Sequence, residues 1–251
     1  GKAFFLDLLL NKGVDIMGFD PTYEGNSPRV IKDLFSDRYS DIAADSLILR
    51  HTLEHIPKPL AFLKTLAAAN NYKGKIYIEV PTFEWILKEN AIEDIFYEHC
   101  NYFTLSTLQM LFTKSVGGHF FNGQYIYVIA DLGDLKTALE KNNVQPFEIH
   151  FNKKLEGYKK KLHNLDSVAI WGAGAKGSTF LNLIDKKREW VKVVIDINKR
   201  KQYQYIGGTG HRIIPPSQVE SEGIKNIIVM NHNYLEEIRT MTGNNINLLT
   251  L

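Results

Sequence analysis

Apolar residues in this chain fall into short runs cut by glycine, proline and charged turns, and the runs follow two different periods. Residues 15–19, 46–49, 75–80 and 124–130 are rich in branched and aromatic residues or alternate in polarity, which predicts strands. Residues 2–12 are apolar nearly all round and predict a buried helix ended by Gly13. Pro57 and Pro59 open a second helix that runs to about residue 69, where Asn70, Asn71 and Gly74 stop it. Pro81 ends the third strand. An irregular stretch comes next, and then a helix over residues 105–112.

The pattern breaks at Asp131, Gly133 and Asp134. A long helix is expected over residues 147–162, with Phe151, Leu155, Tyr158 and Leu162 on one face. From Asp166 the alternation resumes. Strands are expected at 167–171, 191–195, 226–230 and 246–251, with helices over 178–187 and 234–241 and a glycine turn at 172–177. Strands alternating with helices predict an α/β fold, a parallel sheet with helices on its faces. The expected division is 1–133, a connecting helix region 134–165, and 166–251.

Composition narrows the classes. The length, 251 residues, suits two ordinary domains. With 23% charged residues and a net charge of +2, no basic face stands out, so nucleic acid is not an expected partner. Lys159, Lys160 and Lys161 form the densest basic stretch and read as the solvated face of a helix. The single cysteine, Cys100, excludes an intrachain disulfide and a cysteine metal cluster, and makes a reducing, cytoplasmic setting the default. No apolar run approaches a membrane span. The run over residues 3–10 is short and broken by Asp7, unlike a signal-peptide core. The chain opens on Gly1 rather than Met, so residues upstream are expected.

Three clusters in the first half carry candidate chemistry. Gly18-Phe19-Asp20-Pro21 puts a carboxylate at the carboxyl end of a strand, where open α/β sheets bind ligands. Asp20 there suits the two hydroxyls of a ribose, or simply caps a helix. Leu49-Arg50-His51-Thr52-Leu53-Glu54-His55 follows the next strand. Its two histidines and glutamate have the wrong order for a zinc helix, and the following prolines break that helix, so no metal is expected. Phe96-Tyr97-Glu98-His99-Cys100-Asn101-Tyr102-Phe103 surrounds an adjacent acid and base with aromatic rings. On its residues alone, His99 reads as a tuned base or as an ordinary histidine in an aromatic core.

In the second half, Gly172-Ala173-Gly174-Ala175-Lys176-Gly177 is a full G-x-G-x-x-G between a strand and a helix, with Asp196 ending the next strand. That context fits a dinucleotide site. It also fits a tight strand-to-helix turn with no ligand.

Taken together, these clusters resemble the S-adenosylmethionine-dependent sugar C-methyltransferases, which act on nucleotide-linked keto-sugars. The resemblance runs over nearly the whole chain. It implies a class I methyltransferase Rossmann-like core lacking its N-terminal strand, followed by a second Rossmann-like α/β domain. It implies S-adenosyl-L-methionine as cofactor, held by Gly1, Asp20, Leu49, Arg50 and His51. It makes His99 the general base, with Glu98 orienting it or binding sugar. Tyr97, Tyr102, Lys176 and Asn233 become substrate-binding residues, Lys176 through a phosphate or else as an exposed lysine. Where Phe96 stands the family often has Tyr, and where Tyr97 stands often His. A hydrogen bond from that Tyr hydroxyl is therefore lost here or supplied by Tyr97. The family's cofactor-loop glycines and cysteine-rich zinc module have no counterpart in the chain, and residues 116–119 look shorter than the corresponding loop and strand.

The expected activity is base-assisted methyl transfer to the carbon next to a ketone of a small-molecule substrate, a nucleotide-linked sugar. Two readings compete with it: an NAD(P)-binding oxidoreductase centred on the glycine turn, and a non-catalytic relative.

Overall fold

The computed structural model describes residues 2–139, 151–231, 234–243 and 245–250. Along the chain the elements are α1 (Phe4–Leu10), β1 (Gly18–Phe19), β2 (Val30–Ile31), β3 (Ser46–Arg50), α2 (Pro59–Ala69), β4 (Lys75–Pro81), α3 (Phe83–Glu89), α4 (Leu105–Gln109), β5 (Val116–Phe120) and β6 (Tyr125–Asp131). They continue with α5 (Phe151–His163), β7 (Val168–Trp171), α6 (Ala175–Ile184), β8 (Val191–Ile195), β9 (Ile213–Ile214), β10 (Asn226–Val229), α7 (Leu235–Thr242) and β11 (Asn247–Thr250). The chain divides into two compact units, Gly1–Pro81 with Phe103–Lys141, and Thr82–Tyr102 with Asn142–Leu251.

In the first unit, β3 and β4 run parallel, and β6 and β5 add antiparallel in the order β3-β4-β6-β5. A separate parallel pair joins β1 and β2. Alternation along the strands makes the core. Ile76, Ile78, Val80, Ile126 and Val128 point to one face and are fully buried with Leu63 and Leu66 of α2. Pro59 starts α2, as its fixed φ allows. Asn70, just past the end of α2, exchanges side-chain hydrogen bonds with the backbone of Ala44 and so sets the approach to β3. A capping box between Thr104 and Thr107 starts α4.

The second unit is a five-stranded parallel sheet in the order β11-β10-β7-β8-β9. Numbered by first appearance, this is 5-4-1-2-3, the doubly wound order, with its reversal between β7 and β10. Both faces are covered. Val168, Ile170 and Val194 meet Leu162 of α5 and Phe180 of α6 on one side. Ala169, Val193 and Ile227 meet Ile238 of α7 on the other. Strands buried on both faces read as nearly continuous apolar runs, broken in β8 only by the exposed Lys192, which is why the sequence places β7 and β8 closely.

Several expectations shift. Only Leu6 of α1 is buried and Phe4 is 75% exposed, so an all-round apolar run does not make this helix a buried one. Helix α6 begins at Ala175, inside the glycine turn, not at residue 178. Helix α4 stops at Gln109, short of residue 112. Strands β2, β5 and β9 and helix α3 have no counterpart in the pattern reading. Residues 147–150 of the expected long helix lie outside the described residues, and α5 runs on to His163.

Candidate functional site

In the first unit, the ends of β1 and β3 carry the candidate groups. Asp20 follows β1, half-buried, and its Oδ1 accepts hydrogen bonds from the Thr22 N–H and hydroxyl at 2.8 Å each. Its backbone N–H donates to the Ile31 carbonyl, so β2 fixes the carboxylate-bearing turn. Helix α1 touches both strands. The side chain of Leu6 lies against Gly18, and the Phe5 ring lies under the Arg50 guanidinium at 4.6 Å.

The β3–β4 register sets Arg50 opposite Glu79. Arg50 Nε and Nη2 donate to the two Glu79 oxygens at 3.1 and 3.0 Å, a bidentate pair. The Tyr77 hydroxyl donates to Glu79 Oε2 at 2.9 Å, and His51 Nε2 lies 3.1 Å from Oε1. Burial alone would raise the Glu79 carboxyl. The Arg50 and Tyr77 hydrogen bonds outweigh it and hold the group below the usual carboxylate range. Burial, with the Glu79 carboxylate beside it, pushes the Tyr77 hydroxyl up to about 12. His51 sits at φ 47°, a left-handed conformation that costs a non-glycine residue strain. Its backbone N–H donates to the Glu79 carbonyl, its ring meets Tyr125 edge-on at 5.0 Å, and Nδ1 lies 3.6 Å from the buried Glu54. The Arg50 and His51 side chains, though partly exposed, are thus both pinned to Glu79, and the strained His51 turn is what β3 presents beyond its end. A groove of about 580 Å³ runs along this sheet face, lined by Phe5, Ile48, Arg50, Tyr77 and Glu79 among others. Of the expected cofactor residues it takes in Arg50.

The second unit contains the aromatic segment. Thr82 caps α3 by accepting from the Glu84 N–H. Ile92 enters the unit's core beside buried Glu93 and Asp94. Beyond them the chain closes around Phe96. Its carbonyl accepts from the His99 N–H at 3.2 Å and the Tyr102 hydroxyl at 3.3 Å. The His99 ring is half-buried between Phe96, edge-on at 4.8 Å, and Tyr102 at 6.1 Å. Burial pushes the Tyr102 hydroxyl up. Glu98 is exposed and Tyr97 is 100% exposed.

At the carboxyl end of β7 the glycine turn is closed by Gly172 at φ 114°. A Cβ at Gly177 would collide with the Gly172 carbonyl oxygen, so only glycine lets α6 come this close to its strand. Asp196 serves the turn. Its Oδ2 accepts from the Ala173 N–H and its Oδ1 from the Asn198 N–H, both at 2.8 Å. Lys176 gives its ammonium to Asp94 Oδ1 at 2.8 Å.

Asp20, Leu49, Arg50 and His51 therefore lie in the first unit, and Tyr97, Glu98, His99, Tyr102 and Lys176 in the second. Gly1 and Asn233 lie outside the described residues. Sequence reasoning does not single out Glu79, Glu93 or Asp94. The available signal is a carboxylate set inside an apolar stretch, in Ile76-Tyr77-Ile78-Glu79-Val80 and in Ile92-Glu93-Asp94-Ile95.

The fold is mixed α/β in both units, consistent with a methyltransferase-type Rossmann-like architecture. Residues 1–115 match a methyltransferase domain, and residues 141–246 match the C-methyltransferase C-terminal domain. The first part of the chain is thus similar to methyltransferase domains, and the second to the C-terminal domain of C-methyltransferases. No curated protein matches it. Among solved structures it is similar to a crystal structure of RSP, a Rex-family repressor, with TM-score 0.29 and 15% identity over 43% of this chain and 64% of that one. RSP in complex with beta-NADH gives 0.27 and 17%, over 40% and 59%. RSP with beta-NAD+ and operator DNA gives 0.27 and 17%, over 43% and 61%. The chain thus spans roughly three fifths of the length of these structures. Among the described residues no helix is long and apolar enough to cross a membrane.

Proposed function

We propose that this chain carries an S-adenosylmethionine-dependent C-methyltransferase acting on the carbon next to a ketone, in a nucleotide-linked sugar of the cytoplasm, with His99 as base. One observation carries the reading: a methyltransferase domain and a C-methyltransferase C-terminal domain match the same chain, with an aromatic-flanked imidazole in the segment between its strands. The donor set of the first unit fits the adenosyl half of the cofactor. Asp20 is a half-buried carboxylate at a strand end, suited to two ribose hydroxyls, and Leu49 and Arg50 end β3, with His51 in the strained turn just past it. When bound, the cofactor supplies a methyl made electrophilic by its sulfonium.

The protein's own residues then have three tasks. His99 takes the proton from the carbon next to the ketone, leaving an enolate whose carbon forms the new bond. Phe96 and Tyr102 hold the imidazole and keep water from its ring faces. Glu98 and Tyr97, exposed beside it, meet the sugar. Lys176 and Asn233 are counted among the substrate-binding residues in this reading.

Calorimetry with S-adenosylhomocysteine and with NAD, on the gene-encoded full-length protein, tests it. Binding of the homocysteine ligand alone supports the reading. NAD binding alone supports an oxidoreductase, which the glycine turn and the doubly wound strand order favour. Against that alternative, both Asp196 oxygens are already taken by backbone N–H groups. If neither ligand binds, the chain is a non-catalytic relative.

A further inference from the structure

We infer that the glycine turn of the second unit anchors the aromatic segment, and that Lys176 is a positioning residue for His99 acting through Asp94. The inference rests on the proposal that His99 is the base.

Lys176 lies in the first turn of α6, which contains no acidic residue. A cation there opposes the helix dipole, so its position needs a compensating partner. Asp94 is that partner, at 2.8 Å, with its side chain only 10% exposed. The two backbones are packed as well as paired. Ile92 lies in the same core as Phe180 and Ile184 of α6. A second lysine braces the segment from α5. Lys154 donates to the Glu89 carbonyl at 3.1 Å, and its ammonium lies 3.9 Å from Glu93.

Residues beyond the brace move with it. Phe96 receives hydrogen bonds from both the His99 backbone and the Tyr102 hydroxyl, so residues 96–102 form one closed turn. Releasing Asp94 leaves a buried carboxylate without its cation, a state proteins avoid by rearranging. The turn would then shift or sample several positions, carrying the imidazole with it. Displacement of a base by about 1 Å is enough to cost roughly a hundredfold in rate. The same ion pair turns the lysine of the glycine turn to an internal carboxylate.

Hydrogen–deuterium exchange on the full chain reads the anchor directly, without any ligand. Lys176→Met and Asp94→Asn should each speed exchange of amides 92–102 by about tenfold or more, as loss of a local clamp does. Amides of β7 and β8 should keep their protection, which shows that the unit remains folded. Lys176→Arg should restore wild-type exchange. Wild-type exchange at 92–102 in both single variants overturns the inference, and so does failure of Lys176→Arg to restore it. Kinetics with S-adenosylmethionine and a panel of nucleoside-diphosphate keto-sugars give a second reading. The anchor predicts that Lys176→Met lowers kcat with KM for the sugar changed less than about threefold. A raised KM with unchanged kcat marks Lys176 as a phosphate ligand and overturns it. If the wild type methylates none of the panel, the methyltransferase proposal fails while the exchange result still decides the anchor.

Discussion

Asp185 is 2% exposed and accepts four hydrogen bonds: three from the backbone N–H groups of Glu189, Trp190 and Val191, and one from His211 Nε2 at 3.3 Å. His211 in turn meets the Thr209 hydroxyl at 2.8 Å. A hydroxyl, imidazole and carboxylate in succession resemble a nucleophilic triad, but all three residues are buried, and Asp185 ties the end of α6 both to the start of β8 and to the segment before β9. Burial alone would raise Asp185, and the hydrogen bonds from His211 and the backbone overcome it and hold the carboxyl low. A depressed carboxylate contributes stability above its ordinary value of 3.8, and that contribution is lost as pH falls through the lower folded value. Asp185→Asn should therefore cost about 2–3 kcal/mol at pH 7, and denaturant titrations should show the gap to wild type closing below pH 4. Glu93 has the opposite sign. Burial raises it, so the charged form is a burden at neutral pH, and Glu93→Gln should leave stability at pH 7 equal or higher. A lower melting temperature for that variant would show that Lys154 outweighs burial. At the proposed site itself, His99→Ala should reduce methyl transfer by about a hundredfold or more while S-adenosylhomocysteine binds unchanged.

Among the elements, α6 depends most on a single position. Gly177→Ala puts a methyl into the Gly172 carbonyl, which belongs to backbone and cannot turn aside. The variant should lose about 2–4 kcal/mol, seen as an earlier thermal transition, and should loosen the Lys176 end of α6. How much of this is legible from sequence depends on what each element uses as its signal. β7 carries an uninterrupted apolar run because both faces are buried, β8 one broken only by the exposed Lys192, and α2 carries proline at one end and asparagine at the other, so these elements are readable. β5 is not, because two of its five residues are glycines. They are small where the ring of Tyr127 covers Gly118 and the Tyr127 carbonyl approaches Gly117, and that reason exists only once the strands are paired. The pattern places the α6 start late because the turn and the helix share residues. That Asp20 and His51 stand just past strand ends is legible from the pattern. Glu79 is not, since its role comes from the register that sets it opposite Arg50. Asp94 escapes for a related reason: its partner lies in an element far along the chain.

For the molecule as a whole, the order of residues and the grouping of the cores disagree, and that disagreement can be tested. Residues 82–102 are flanked in sequence by β4 and α4, both elements of the first unit, yet they belong to the second. The cores divide the same way. Ile78 is fully buried among Leu63, Leu66 and Val128, whereas Ile92 and Ile95 pack with Phe180 and Ile170. Stability should follow the cores rather than the sequence. Ile78→Ala opens a cavity worth about 2–5 kcal/mol and Phe180→Ala one worth about 3–5 kcal/mol. In hydrogen exchange, the first should speed the amides of β4 and β6. The second should speed β7 and β8 and, with them, residues 92–95, although these are much nearer Ile78 in the chain. If residues 92–95 respond to Ile78→Ala and not to Phe180→Ala, the aromatic segment is governed by the flanking strands. The second unit would then have no hold on the position of His99. If they respond to Phe180→Ala, a C-terminal domain whose strands contribute no expected catalytic group still sets where the proposed base stands.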